Sequence, residues 1–201
     1  MTDRKMLPIG IQTFREIREE GYYYVDKTPF ALQLIAEGQA YFLSRPRRFG
    51  KSLFIDTLKE LFEGNRALFT GLHAEANWDW SVKHPVIRLS FGSGVLKTPE
   101  HLAGTLDRQL GGLERQHGLE QSSSDASSRL ADLIEQLHER TGQRVVVLVD
   151  EYDKPILDNL TEPERAREMR DGLRGIYSVL KDADAHLRFV FITGVSKFSK
   201  V

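Results

Sequence analysis

The chain has 201 residues, with 28 Lys and Arg against 29 Asp and Glu, six His and no cysteine. That length supports one core of ordinary domain size, and the lack of cysteine excludes disulfides, thiolate zinc sites and a thiol nucleophile. A net charge of -1 gives no whole-chain case for nucleic acid or an anionic membrane, and a mean hydropathy of -0.37 describes a soluble globular protein. No apolar run approaches the roughly 20 residues that span a bilayer. The first ten residues carry charge without an apolar stretch, so no secretory signal is expected and a cytoplasmic location is the default.

In chain order, Asp26-Lys27-Thr28-Pro29 predicts a helix entry, with Thr28 as the cap and Pro29 at the first helical position. The tyrosines before it, Tyr22 to Tyr24, are expected to be partly buried. Ala40 to Ser44 reads as a first strand. Leu53, Phe54, Leu58, Leu61 and Phe62 then make the apolar stripe of a helix. Trp78 and Trp80 are expected to pack in the core or at an edge. Val86 to Phe91 reads as a second strand, and Phe91-Gly92-Ser93-Gly94 as the turn that leaves it. Ser122 to Ser128 (SSSDASS) is expected to be an exposed loop ending in the cap of a helix that starts near Arg129, whose stripe is Leu130, Leu133, Ile134 and Leu137. Arg144 to Asp150 is a nearly continuous aliphatic run, as expected of a strand buried on both faces. A helical stripe at Leu173, Ile176, Tyr177 and Leu180 precedes the fourth strand, Arg188 to Thr193. Strands joined by long helical stretches, with no two-residue hairpin signal, predict an α/β fold with a mostly parallel sheet between helices.

Directly after the first strand comes Arg45-Pro46-Arg47-Arg48-Phe49-Gly50-Lys51-Ser52, leading into Leu53 and the helix. Strand, loop and helix with Gly-Lys-Ser at the turn is the setting of a phosphate-binding loop. Glycine lets backbone N–H groups close round an anion, lysine reaches the β and γ phosphates, and the serine hydroxyl ligates Mg²⁺. The usual pattern has a further glycine at its start, and Arg45 stands in that place. The loop also holds Arg45, Arg47, Arg48 and Lys51 with no acid among them. A solvated basic turn would explain this charge; a polyanion site, where guanidinium forks meet phosphate oxygens, explains it as well.

The third strand delivers two adjacent carboxylates, Asp150 and Glu151, at its C-terminal end, the edge where ligands bind in open α/β sheets. In nucleotide hydrolysis the first holds Mg²⁺ and the second polarises the attacking water. Their adjacency on a strand would aim them to opposite sides. Two exposed acids capping a buried strand is the plainer account of either residue alone. Together with the basic loop they make the two halves of one Mg-nucleotide site. Asp153 follows in the same turn and is expected to serve the loop structurally. Thr193 and Ser196, at the end of the fourth strand, either sense the γ-phosphate or satisfy a turn. The six histidines show no metal-ligand spacing.

These residues resemble the AAA-ATPase-like family of P-loop ATPases. The resemblance rests on Leu7 to Thr28 (LPIGIQTFREIREEGYYYVDKT), Ser44 to Leu53 (SRPRRFGKSL), Val147 to Pro155 (VLVDEYDKP) and the closing FITGVSKFSKV, and it covers essentially the whole chain. The family itself carries an arginine-rich loop without the first glycine. The resemblance implies an ASCE-type sheet with the fourth strand between the first and third, together with ATP and Mg²⁺. Arg45, Arg47, Arg48, Phe49, Gly50, Lys51, Ser52 and Leu53 would then form the cofactor loop. Ser52 and Asp150 would hold the metal, with Glu151, Lys51 and Thr193 catalytic. Residues 1–201 would form one such domain, a fragment of a longer protein that in relatives often continues into a nuclease-like domain. Two alternatives stand beside ATP hydrolysis: a nucleotide-dependent switch without turnover, and a nucleic-acid-binding module using the Arg45 to Lys51 cluster. Phe49 is the only ring inside that cluster, a sparse platform for stacking bases.

Overall fold

The computed structural model describes residues 5–196. Four strands, β1 (Ala40–Ser44), β2 (Val86–Ser90), β3 (Val145–Asp150) and β4 (Leu187–Gly194), form one sheet in the order β1-β4-β3-β2. Every pairing is parallel. The four strands expected from sequence are all present, and β4 lies between β1 and β3 as the resemblance implies. The helices are α1 (Phe14–Glu19), α2 (Thr28–Glu37), α3 (Lys51–Phe62), α4 (His73–Asn77), α5 (Pro99–His117), α6 (Ala126–Thr141), α7 (Lys154–Leu157) and α8 (Pro163–Asp182). The protein is thus an α/β fold with an all-parallel sheet flanked by helices, consistent with a P-loop NTPase-like fold.

The aliphatic run of β3 explains the layering. All its residues are buried. Val145, Val147 and Val149 face a core built with Leu106 and Leu110 of α5, Leu130 and Ile134 of α6 and Leu173 and Ile176 of α8. Val146 and Leu148 face the opposite core, with Phe14 of α1, Ile35 of α2, Ile55 and Leu58 of α3 and Phe189 and Phe191 of β4. Alternation along a strand with both faces covered is what a parallel sheet between helices requires. Trp78 and Trp80 pack against the second core, their rings meeting Phe62 and Phe69.

Three expectations shift. The entry to α2 is bonded by Asp26, whose Oδ1 accepts the Thr28 N–H at 2.8 Å. Thr28 is buried inside the helix, and its hydroxyl accepts the Ala74 N–H of α4 instead. α6 begins at Ala126, within the serine-rich run, because Asp125 accepts the Ser128 N–H and starts the helix there. Tyr23 is exposed, not partly buried, while Tyr22 and Tyr24 on either side of it are half-buried.

The start of α1 is held by a buried carboxylate. Asp56 of α3 accepts the Phe14 N–H at 2.7 Å and pairs with Arg88 of β2. Replacing it leaves the buried Phe14 N–H without an acceptor. Asp56→Ala is therefore expected to lower the unfolding free energy in urea by about 2–3 kcal/mol, most of it the cost of that orphaned donor. A loss below about 0.5 kcal/mol would show that the apolar residues of α1, with the bonds of Arg15 and Arg18, suffice to dock it.

Candidate functional site

The loop between β1 and α3 is shaped by two left-handed residues, Arg48 (φ 67) and Gly50 (φ 75). Gly50 stands at the helix entry, where α3 has no side-chain cap. The first-turn N–H groups of Lys51, Ser52 and Leu53 thus present the partial positive end of a 12-residue helix to the loop. Lys51 is only 5% exposed, and its ammonium donates to the carbonyls of Arg45 at 2.9 Å and Pro46 at 3.0 Å. It holds the loop closed like a strut. Arg45, Arg47, Arg48 and Phe49 are exposed, and the Arg45 guanidinium reaches the Ser44 carbonyl at 3.4 Å.

The acidic half is assembled by the end of β4. Asp150 is buried at the last position of β3, and its Oδ1 accepts a 2.6 Å hydrogen bond from the Thr193 hydroxyl. The same hydroxyl accepts the Glu151 N–H at 3.3 Å. Thr193 is fully buried and engaged with both acids, so it braces them. Glu151 lies beyond the strand with φ 53, a left-handed conformation rare for glutamate. The two acids therefore diverge through this backbone reversal, and the alternation of a pleated strand is not the cause. Glu151 leans toward β2: a Cβ on Gly92 would stand 3.3 Å from its Oε2. The Gly-rich turn after β2 is in turn tied down by Lys154, which donates to the Gly94 carbonyl at 2.6 Å and pairs with Asp158.

Both halves meet at one edge of the sheet. β1 runs out into the basic loop, β3 runs out into Asp150, and β4 lies between them with Gly194 level with Ser44. Among the described residues no cluster of three or more His, Asp or Glu side chains could hold a metal ion by itself. The available donors, the Ser52 hydroxyl and the Asp150 carboxylate, are hard oxygens. They suit Mg²⁺, which takes one or two protein ligands and completes its shell with phosphate and water.

A cavity of about 780 Å³ opens beside the loop. Arg45, Gly50 and Lys51 form one end, and Tyr41, Phe42 and Leu43 of β1 run along it. Phe54 of α3 and Phe191 of β4 add to its wall, and the N-terminal segment and α2 contribute the exposed apolar residues Leu7, Tyr23, Val25 and Phe30. Sequence reasoning missed these wall residues. Their one signal is that they are large apolar side chains outside every helical stripe.

The family model described as "Predicted AAA-ATPase" matches residues 8–201, and the chain belongs to this AAA-ATPase-like family. Family membership supports a nucleotide-binding, ATPase-like role. The chain is 62% identical over 199 residues to an uncharacterized protein in the vnfD 5' region of Azotobacter chroococcum mcd 1. That match covers 98% of this chain and 39% of the relative, so the chain spans about two fifths of the relative's length. No solved structure matches. Among the described residues no helix is long and apolar enough to cross a membrane. The comparisons lend no support to a nuclease-like domain or a nucleic-acid partner.

Proposed function

We propose that the chain forms an AAA-ATPase-like P-loop domain, part of a longer protein, that binds ATP with Mg²⁺ and hydrolyses it. The observation that carries this reading is the convergence at one sheet edge of an uncapped helix N-terminus with its buried lysine and a braced pair of acids. The loop amides and Lys51 would take the phosphates, the donor set that anions find at helix N-termini. Ser52 and Asp150 would hold Mg²⁺, which would offset the charge of the phosphates. Glu151 would accept the proton of the attacking water. Its backbone reversal sets it apart from Asp150, so one carboxylate can serve the metal and the other the water. Thr193 bonds the Asp150 carboxylate and the Glu151 N–H and so would hold both residues in place.

The cavity supports the same assignment, since its loop end adjoins the phosphate donors and its far walls are aromatic and aliphatic. A concave apolar space of a few hundred Å³ with a few polar groups at one end is the usual form of a small-molecule site. The base and ribose would lie there. Tyr23, Phe30 and Phe49 are rings on its wall, and Lys27 sits 5.8 Å from the centre of the Phe30 ring.

Calorimetry with ATP tests the proposal. Binding in the presence of Mg²⁺ is expected to weaken about tenfold or more when EDTA removes the metal, one to two kcal/mol being the scale of a lost metal bridge. Phosphate release should stop with it. No heat of binding in either condition would overturn the assignment. Heat without phosphate release would leave a nucleotide switch.

A further inference from the structure

The residue set aside above as a loop acid, Asp153, is 1% exposed, among the most buried charged side chains of the protein. Its Oδ2 accepts two consecutive backbone amides from the segment leaving β4, Val195 N–H at 2.8 Å and Ser196 N–H at 2.6 Å. Short bonds from two amides to one carboxylate oxygen are charge-assisted and strong. Beside them the Tyr152 hydroxyl donates to the Ser196 carbonyl at 3.1 Å. The approach is so close that a Cβ on Gly194 would stand 2.7 Å from the Tyr152 ring and 2.8 Å from Asp153 Oδ1. Only glycine fits there.

The carbonyls of this turn point the other way along the sheet edge. The Gly194 carbonyl accepts the Arg45 N–H at 3.1 Å, and the Val195 carbonyl accepts the Ser44 hydroxyl at 2.9 Å. Ser44 and Arg45 are where β1 enters the phosphate loop, and the Arg45 carbonyl is one of the two that hold Lys51. A continuous chain of hydrogen bonds therefore runs from Asp153, through the turn at Gly194 to Ser196, to the mouth of the basic loop. Oδ1 of Asp153 makes no hydrogen bond among the described residues, nor does the nearby buried hydroxyl of Tyr177. Burial pushes the pKa of that hydroxyl up, with Tyr152 and Asp153 adding to the effect. A buried carboxylate with one oxygen unsatisfied is expensive to keep. A role confined to closing a surface turn would be met by a neutral acceptor at smaller cost.

We infer that Asp153 is a positioning residue of the nucleotide site: its buried carboxylate clamps the turn after β4, and that turn carries the first residues of the phosphate loop. The effect on nucleotide rests on the function proposed above; the clamp itself does not. It makes the acidic strand end and the basic loop one mechanical unit, since Thr193, one residue before the turn, braces Asp150 and Glu151.

The test is amide hydrogen exchange of the full chain without nucleotide, together with calorimetry of MgATP. In Asp153→Ala the amides of Arg45 and Phe54, bonded to the Gly194 and Gly50 carbonyls, are expected to exchange about tenfold faster or more, while amides of α6 around Leu133 keep their protection. Asp153→Asn keeps an acceptor for both turn amides and should lie nearer wild type. MgATP affinity should fall about tenfold in the alanine variant and recover in the asparagine variant. Unchanged exchange at Arg45 in Asp153→Ala, or faster exchange spread evenly over the chain with Asn and Ala alike, would overturn the clamp. If wild type binds no MgATP, the nucleotide assignment falls, and exchange at Arg45 still decides the clamp.

Discussion

Glu151→Gln is expected to reduce ATP turnover by about two to three orders of magnitude while leaving MgATP affinity within about threefold of wild type. The substitution keeps the shape of the side chain and removes its ability to take a proton. It does not disturb the backbone bond from the Glu151 N–H to Thr193, nor the Asp150 brace. The expected split between turnover and affinity is therefore a property of the carboxylate alone. Single-turnover phosphate release, with affinity from calorimetry, measures both terms. Equal turnover in wild type and Glu151→Gln would remove Glu151 as the base and favour a switch that binds without hydrolysing. The strained conformation at φ 53 adds weight to the choice of residue. A non-glycine residue in the left-handed region costs on the order of 1 kcal/mol, and such outliers gather at functional sites.

What the sequence made legible was burial, and burial is what its periodicity encodes. The run from Val145 to Val149 fits a strand covered on both faces, and the stripe at Leu130, Leu133, Ile134 and Leu137 fits the inner face of a helix, as both prove to be. The strand-loop-helix setting of Lys51 and the acids at the end of β3 followed from the same patterns. What could not be read was which polar side chain meets which distant amide. Asp26 in place of Thr28 serves the entry to α2 because the Thr28 hydroxyl is drawn to Ala74, a partner 46 residues away. Asp153 read only as a structural acid of its own loop because the amides it holds lie just past the end of another strand, over 40 residues on. The reversal at Glu151 has no sequence signal, since glutamate does not favour positive φ. For Thr28 and Asp153 a distant backbone amide decided a role that the local pattern could not.

Lys51→Ala is expected to weaken MgATP binding by about a hundredfold or more, equivalent to about 2.7 kcal/mol. Two effects act together. Under the proposed function the phosphates would lose a compact cation, and the Arg45 and Pro46 carbonyls would lose the donor that keeps the loop closed. A control separates this from general attraction to a basic patch. Arg45, Arg47 and Arg48 stay in place in the variant, so any anion drawn only by summed charge would lose one positive charge out of four. For such an anion the loss would be about threefold to tenfold, and it would fade further as salt rises. Lys51→Arg sharpens the contrast. A planar guanidinium keeps the charge but cannot occupy the space of a buried ammonium bonded to two carbonyls, so it should bind MgATP nearly as poorly as alanine. Were the basic loop a nucleic-acid surface, Lys51→Arg would behave as wild type toward single-stranded DNA. Affinities of wild type and both variants for MgATP, measured with melting temperatures to confirm that each is folded, decide between the two. Lys51→Ala within about threefold of wild type would mean that the phosphates lie elsewhere, because no other ammonium in the loop is buried and aimed at its backbone.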